Sequence, residues 1–205
     1  MTAQEDIVLP FSAPLDRVGE LTHVRGTLLA SSLQSLRARG LFERYSALLV
    51  SEHRDTVLHC VAGEWLPVAV ALAHYEACDA LQLSVDEQLS LGRDVSRRTN
   101  ETFLGLLVKM ARGVGVTPWA VLPKLDSLHQ RVCRGSGVQV TRLGPKDAKV
   151  EIVGMTLLGI PYYRNAFMGI YEAGIGLFAT KVQVRATSLA TLPPGKHFIL
   201  RVQWV

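Results

Sequence analysis

Cysteine is scarce in this chain. Its 205 residues hold three, Cys60, Cys78 and Cys133, with no CxxC spacing. An odd number so spread excludes a disulfide scaffold and a thiolate zinc site. Each sits in or beside an apolar stretch, the setting of a reduced, buried thiol in a cytoplasmic protein. Long apolar runs are also missing. The longest, LPVAVALA from Leu66 to Ala73, falls well short of the roughly 18 residues of a membrane span. The start, MTAQEDIVLPFSAPLDR, is acidic and lacks a charged-then-apolar leader pattern. Nor does one sign of charge dominate: 22 Lys and Arg against 18 Asp and Glu leave a formal net charge of +4. The densest basic cluster, RDVSRR from Arg93 to Arg98, reads as the solvated face of a helix, so no nucleic-acid partner is expected.

Catalytic signatures are absent too. There is no GxSxG, no Walker loop and no GxGxxG after a strand. The six histidines, His23, His53, His59, His74, His129 and His197, contain no HExxH and no i,i+4 pair. His59 and Cys60 are neighbours whose side chains point apart on a helix. Paired acids with glycosidase or metal spacing are not evident. A non-enzymatic protein without a metal site is expected.

What is present is a globular composition, 48% hydrophobic and 20% charged. A chain of this size buries roughly 70% of its unfolded surface without a covalent staple. Residues 1 to 22 read as an arm with a short strand, Ile7 to Pro10. Residues 23 to 205 read as one domain, opened by a helical half. TLLASSLQSLRARG comes after Gly26, with Leu29, Leu33 and Leu36 on one stripe and Gly40 as a cap. LFERYSALLV is a second short helix, and SEHRD, Ser51 to Asp55, a polar break. Trp65 to Asp79 reads as a helix with Trp65, Val68, Leu72 and Tyr75 on one stripe. SVDE, Ser84 to Glu87, is a capping box opening a helix to about Thr99. Asn100 is set to cap a further helix carrying Phe103, Leu104, Leu107 and Met110. Thr117-Pro118-Trp119 looks like the start of a helix that runs to Cys133 and is kinked at Pro123.

At Gly135 the period changes to two. GVQVTRLG and AKVEIVG alternate around the GPKD turn, and KVQVRAT and HFILRVQW alternate around LPPG. One-sided alternation predicts a four-stranded antiparallel sheet with one wet face. The expected fold is α+β: the helical half packs on that sheet, and the C-terminal third runs strand-strand-helix-strand-strand. The helix between the hairpins is PYYRNAFMGIYEAGIGLFA. Tyr163, Phe167, Ile170, Tyr171 and Gly174 form one face of it. Ala166, Gly169 and Ala173 form a small-residue face that admits close approach of another backbone.

VRGTLLASSLQSL, GEWLPVAVALAHY, SLGRDVSRRTNETFLG and the hairpins around PYYRNAFMGIYEAG together resemble a protein family abundant in myxobacteria. The shared features are Gly26 at the first helix, Trp65 and Pro67 before an apolar helix, and Leu91 to Arg93 with Thr102 to Gly105 beyond them. By topology the wider relatives are the vinyl-reductase-type ligand-binding domain, the Bet-type TRAPP tethering subunits and the haem–nitric oxide/oxygen-binding domain. That resemblance implies a helical half on an antiparallel sheet, with an apolar cavity for a small molecule, lipid tail or haem. The haem-binding relatives grip the haem carboxylates with Tyr-x-Ser-x-Arg. YYRNA and YSALL do not match it, and no metal-ligating cluster or lipid-modified cysteine carries over.

The expected function is therefore a cytoplasmic sensory or interaction module for a small hydrophobic ligand or lipid, without a cofactor. Tyr75, Phe103, Leu107, Phe167 and Tyr171 are the candidate cavity lining. A protein partner and a homodimer formed through the helices are expected. Two alternatives stand beside it. One is a structural protein-protein adaptor without a ligand. The other is a haem-based gas or redox sensor using His74 or His129.

Overall fold

The structure, a computed structural model, describes residues 6–103, 116–187 and 197–205, and for 99–103 the backbone alone. Two antiparallel sheets and seven α-helices occupy the described residues. The larger sheet consists of β1 (Asp6–Leu9), β5 (Gly137–Gly144), β6 (Asp147–Val153), β7 (Val182–Ala186) and β8 (His197–Trp204). Their order is β1-β5-β6-β8-β7, antiparallel throughout.

Register makes one face apolar. Val138 lies opposite Ile152, which lies opposite Phe198; Val140, Val150 and Leu200 form the next row. All six are buried. Gln139, Lys149, Glu151 and Arg201 alternate onto the other face, as a period of two requires. The sheet thus has five strands where the hairpin pattern predicts four. The N-terminal strand supplies the fifth by pairing on the edge of β5, with Ile7 opposite Thr141. Its four residues, Asp6 followed by three apolar ones in a row, show no alternation that would reveal that attachment.

The helices are α1 (Gly26–Ala38), α2 (Phe42–Leu48), α3 (Ser51–Leu58), α4 (Val68–Asp79), α5 (Val85–Phe103), α6 (Leu125–Val132) and α7 (Pro161–Ile175). A second sheet joins them, built from β2 (His23–Arg25), β3 (Trp65–Pro67) and β4 (Cys133–Arg134) in the order β3-β2-β4. Trp65 is accordingly on a strand and not on the helical stripe. Pro67 disfavours the α conformation at Leu66, and Leu66 pairs with Val24, so the helix begins at Val68. SEHRD is likewise the start of α3 and not a break; its one buried residue, Val57, lies beyond the polar run. Asn100 lies inside α5, which continues through it to Phe103, and so does not start a new helix. Thr117-Pro118-Trp119 opens a 3-10 turn, Pro118–Ala120, and a second turn, Leu122–Lys124, precedes α6. Pro123 accounts for the delay, since proline lacks the N–H that an α-helix interior needs. The further helix expected after Asn100 and the LPPG linker lie outside the described residues.

α5 and α7 cross at backbone contact. A Cβ built on Gly92 would sit 1.8 Å from the Ala166 carbonyl oxygen, and one on Gly169 would sit 2.1 Å from that of Leu89. The small face read from Ala166 and Gly169 is therefore where the helix pair closes. Arg93 Nη1 pairs with Glu172 Oε2 at 2.7 Å, and Asn165 Nδ2 donates to Gln88 Oε1 at 2.7 Å along the same crossing. Among the described residues no helix is long and apolar enough to cross a membrane.

Candidate functional site

Pro161 starts α7 with a preset φ, and Asp79 at the end of α4 accepts the Tyr162 N–H at 2.7 Å. That bond fixes where the helix enters and so places its aromatic residues. Tyr75 of α4 meets Tyr163 edge-on at 4.7 Å between ring centroids. Tyr163 stacks on Phe167 at 5.6 Å, and Phe167 leans on Tyr171 at 5.0 Å. Edge-on and offset contacts of this kind add to the burial energy of each ring. Of the residues named from the sequence, Tyr75, Phe167 and Tyr171 therefore join one stack, linked by Tyr163. Phe103 is on the last described turn of α5 with its side chain outside the described residues, and Leu107 lies outside them altogether.

Beneath the stack is a polar cluster that sequence reasoning missed. His74 is fully buried. Its Nδ1 is 2.6 Å from the Tyr45 hydroxyl, its Nε2 is 2.9 Å from Ser32 Oγ, and Cys78 Sγ is 3.8 Å from Nε2. Burial lowers the imidazole pKa to about 3, so the ring is neutral at physiological pH. The same burial raises the Tyr45 phenol and the Cys78 thiol. The available signal was the serine pair, Ser31-Ser32, inside the apolar run of α1: a buried hydroxyl needs a partner.

His129, on α6, is the other buried histidine. Its Nε2 lies 2.6 Å from Ser136 Oγ, and burial lowers its pKa to about 4, against a smaller raising effect of Asp126. Ser136 sits in the left-handed region at φ 61° and is held by its own N–H, which donates to Gly19 C=O at 2.8 Å.

Haem can be tested against these donors. His74 has both ring nitrogens engaged and cannot take an iron without losing a partner. His129 is neutral, uses one nitrogen for Ser136, and so has the anchored form usual for a ligating imidazole. His129 fits as a donor, and the described middle of the inner sheet face is closely packed. Val138, Val140, Ala148, Val150, Ile152, Leu200 and Val202 are fully buried, so the middle of the inner sheet face is filled by its neighbours. A concavity of about 530 Å³ does exist, lined by Asp6, Trp119, Arg142, Leu143, Gly144 and Pro145, but it lies open at the sheet edge. Among the described residues no group of three or more His, Cys, Asp or Glu could hold a metal ion.

No protein-family model and no curated protein matches the chain. Solved structures do. An oxygen-binding H-NOX domain related to soluble guanylate cyclases, solved as its oxygen complex, is similar at a TM-score of 0.60 and 13% identity, over 88% of this chain and 94% of that one. An Fe(II) unliganded H-NOX protein mutant from K. algicida is similar at 0.63 and 9% identity, over 88% and 96%. A structure probing heme distortion in the H-NOX family is similar at 0.63 and 12% identity, over 88% and 94%. The chain has the H-NOX fold. Of the folds named from the element order, it is that of the haem–nitric oxide/oxygen-binding domain that the solved structures match. It also overturns the expectation that there is no cofactor, because the matching structures include ones concerned with heme redox potential and heme distortion. The relationship lies in the arrangement of helices and strands, and no residue motif advertises it.

Proposed function

We propose that this chain is a haem-based sensor domain, non-enzymatic and cytoplasmic. The observation that supports it is the H-NOX fold, matched over 88% of the chain and nearly the full length of its neighbours. His129 is the residue that would hold the iron. Its neutral ring and its Ser136 anchor suit that role, whereas His74 is committed to Tyr45 and Ser32. Bound haem would supply a site for a diatomic gas or a change of iron oxidation state. The filled inner face means that haem enters only with movement of the helices, and a ligand acts on a partner through such a difference between two packings.

A second reading rests on that filled face: an adaptor that works through its surface. One titration separates the two. Purified protein mixed with increasing hemin should develop a saturable Soret band, and His129→Ala should shift or abolish it while far-UV circular dichroism stays unchanged. A spectrum identical to free hemin, from protein shown to be folded, rejects the haem reading and leaves the adaptor.

A further inference from the structure

The outer face of the three-stranded sheet carries a cluster that the sensor reading does not use. Val24, Leu66 and Cys133 are buried beneath it. His23, Arg25, Trp65, Pro67 and Arg134 alternate onto the opposite side, with Arg25 across from Trp65 and His23 between Pro67 and Arg134. The Arg25 guanidinium carbon lies 4.0 Å from the Trp65 ring centroid, and that of Arg134 lies 4.2 Å from the same ring. Arg25 is held further by backbone: Nη1 donates to Gly63 C=O at 2.8 Å and Nε to Arg131 C=O at 3.4 Å. One indole and two neutral carbonyls thus position the charges, and among the described residues neither guanidinium forms an ion pair. Glu64, next to Trp65 in the chain, directs its Oε2 at the Val61 N–H at 3.4 Å.

Two like charges gathered on one ring repel each other. Fixed without a counter-charge, they leave a positive field and several free N–H donors facing solvent. Guanidinium forks match carboxylates bidentately, and tryptophan and arginine dominate binding energy at protein interfaces. We infer that this face docks an acidic segment of a protein partner. Arg25 and Arg134 take its carboxylates, and Trp65 and Pro67 receive its apolar part. A nucleic acid suits the face less well, because affinity for phosphate backbones grows with the number of charges neutralised and only two guanidinium groups are fixed here.

Calorimetric titration of the full chain with a decaglutamate peptide tests this. Binding should saturate and weaken as salt rises. It should fall about tenfold in R134Q and further in R25Q/R134Q, since truncating one partner of a charge pair acts on affinity directly. R134K, which keeps the charge and loses the fork, should fall between. Arg134 is exposed, so R134Q should keep its circular-dichroism spectrum and melting temperature. No saturable binding by the unaltered chain overturns the inference. So does equal binding by R134Q, or tighter binding of a single-stranded oligonucleotide than of the peptide. None of these outcomes bears on the hemin titration, which reads His129.

Discussion

The Tyr45 hydroxyl lies 2.6 Å from His74 Nδ1, joining α2 to α4 inside the helical half. A neutral imidazole carries one donor and one acceptor, so Tyr45 on one side and Ser32 on the other satisfy the ring in either tautomer. Removing the phenol oxygen leaves a buried nitrogen without its partner, which costs roughly 1–3 kcal/mol. Tyr45→Phe should therefore unfold at lower urea with an unchanged slope, and its midpoint temperature should drop by about 2–4 °C per kcal/mol lost, as expected at this chain length. A melting curve matching that of the unaltered protein would show that the bond carries no net stability.

Acid should act through the two buried histidines. Burial lowers His74 to about 3 and His129 to about 4, both from a starting value of 6.5. Between pH 6.5 and about 4 the unfolded chain therefore binds protons that the folded chain refuses. Stability is complete above pH 6.5 and declines as pH falls, by up to about 1.4 kcal/mol per pH unit for each histidine. Urea midpoints at pH 7, 6 and 5 should fall in order. In His129→Gln the decline should be shallower, because one of the two groups is gone. Midpoints independent of pH across that range would contradict the burial of both rings.

The hairpins were legible because a period of two declares itself over seven or eight residues, as in Val138–Val140 against Val150–Ile152. The crossing of α5 and α7 was partly legible, since Ala166 and Gly169 stand apart from the aromatic face of the same helix. The small sheet was not. Its strands are two or three residues long, too short to alternate, and pairing between His23 and Arg134 depends on residues over a hundred positions apart. Tyr75, Phe167 and Tyr171 could be named from helical spacing, yet the stack that joins them runs through Tyr163, whose role depends on where Asp79 fixes the start of α7. The His74 cluster needs Ser32, Tyr45 and Cys78 from three helices, and no local pattern specifies such a meeting.

The start of α5 is held by a reciprocal cap. The Glu87 N–H donates to Ser84 Oγ at 3.3 Å, and the Ser84 N–H donates to Glu87 Oε2 at 2.9 Å. Ser84→Ala removes the hydroxyl half and should cost about 1 kcal/mol. Ser84→Asp, which restores an acceptor for the helix N–H groups, should recover most of that loss in thermal melts. If alanine and aspartate melt together, the hydroxyl does not cap this helix in solution.

The sharpest test of the architecture is at the α5–α7 crossing. At Gly92 and Gly169 an added methyl group would meet backbone, the Ala166 and Leu89 carbonyl oxygens at 1.8 and 2.1 Å. Backbone cannot rotate aside as a side chain can, so the two helices must part. Overpacking of this kind typically costs about 1–3 kcal/mol, and alanine's better helix propensity, worth about 1 kcal/mol over glycine, offsets part of it. Gly92→Ala and Gly169→Ala should each destabilise. The double variant should lose less than the sum, because the separation forced by the first methyl makes space for the second. Gly174→Ala is the control on the same helix: its nearest neighbour is Ser96 Oγ at 3.7 Å, an ordinary contact, so propensity alone should act and stability should stay level or rise. If all three variants were stabilised alike, α5 and α7 would not be in backbone contact, and their packing would have to be redrawn.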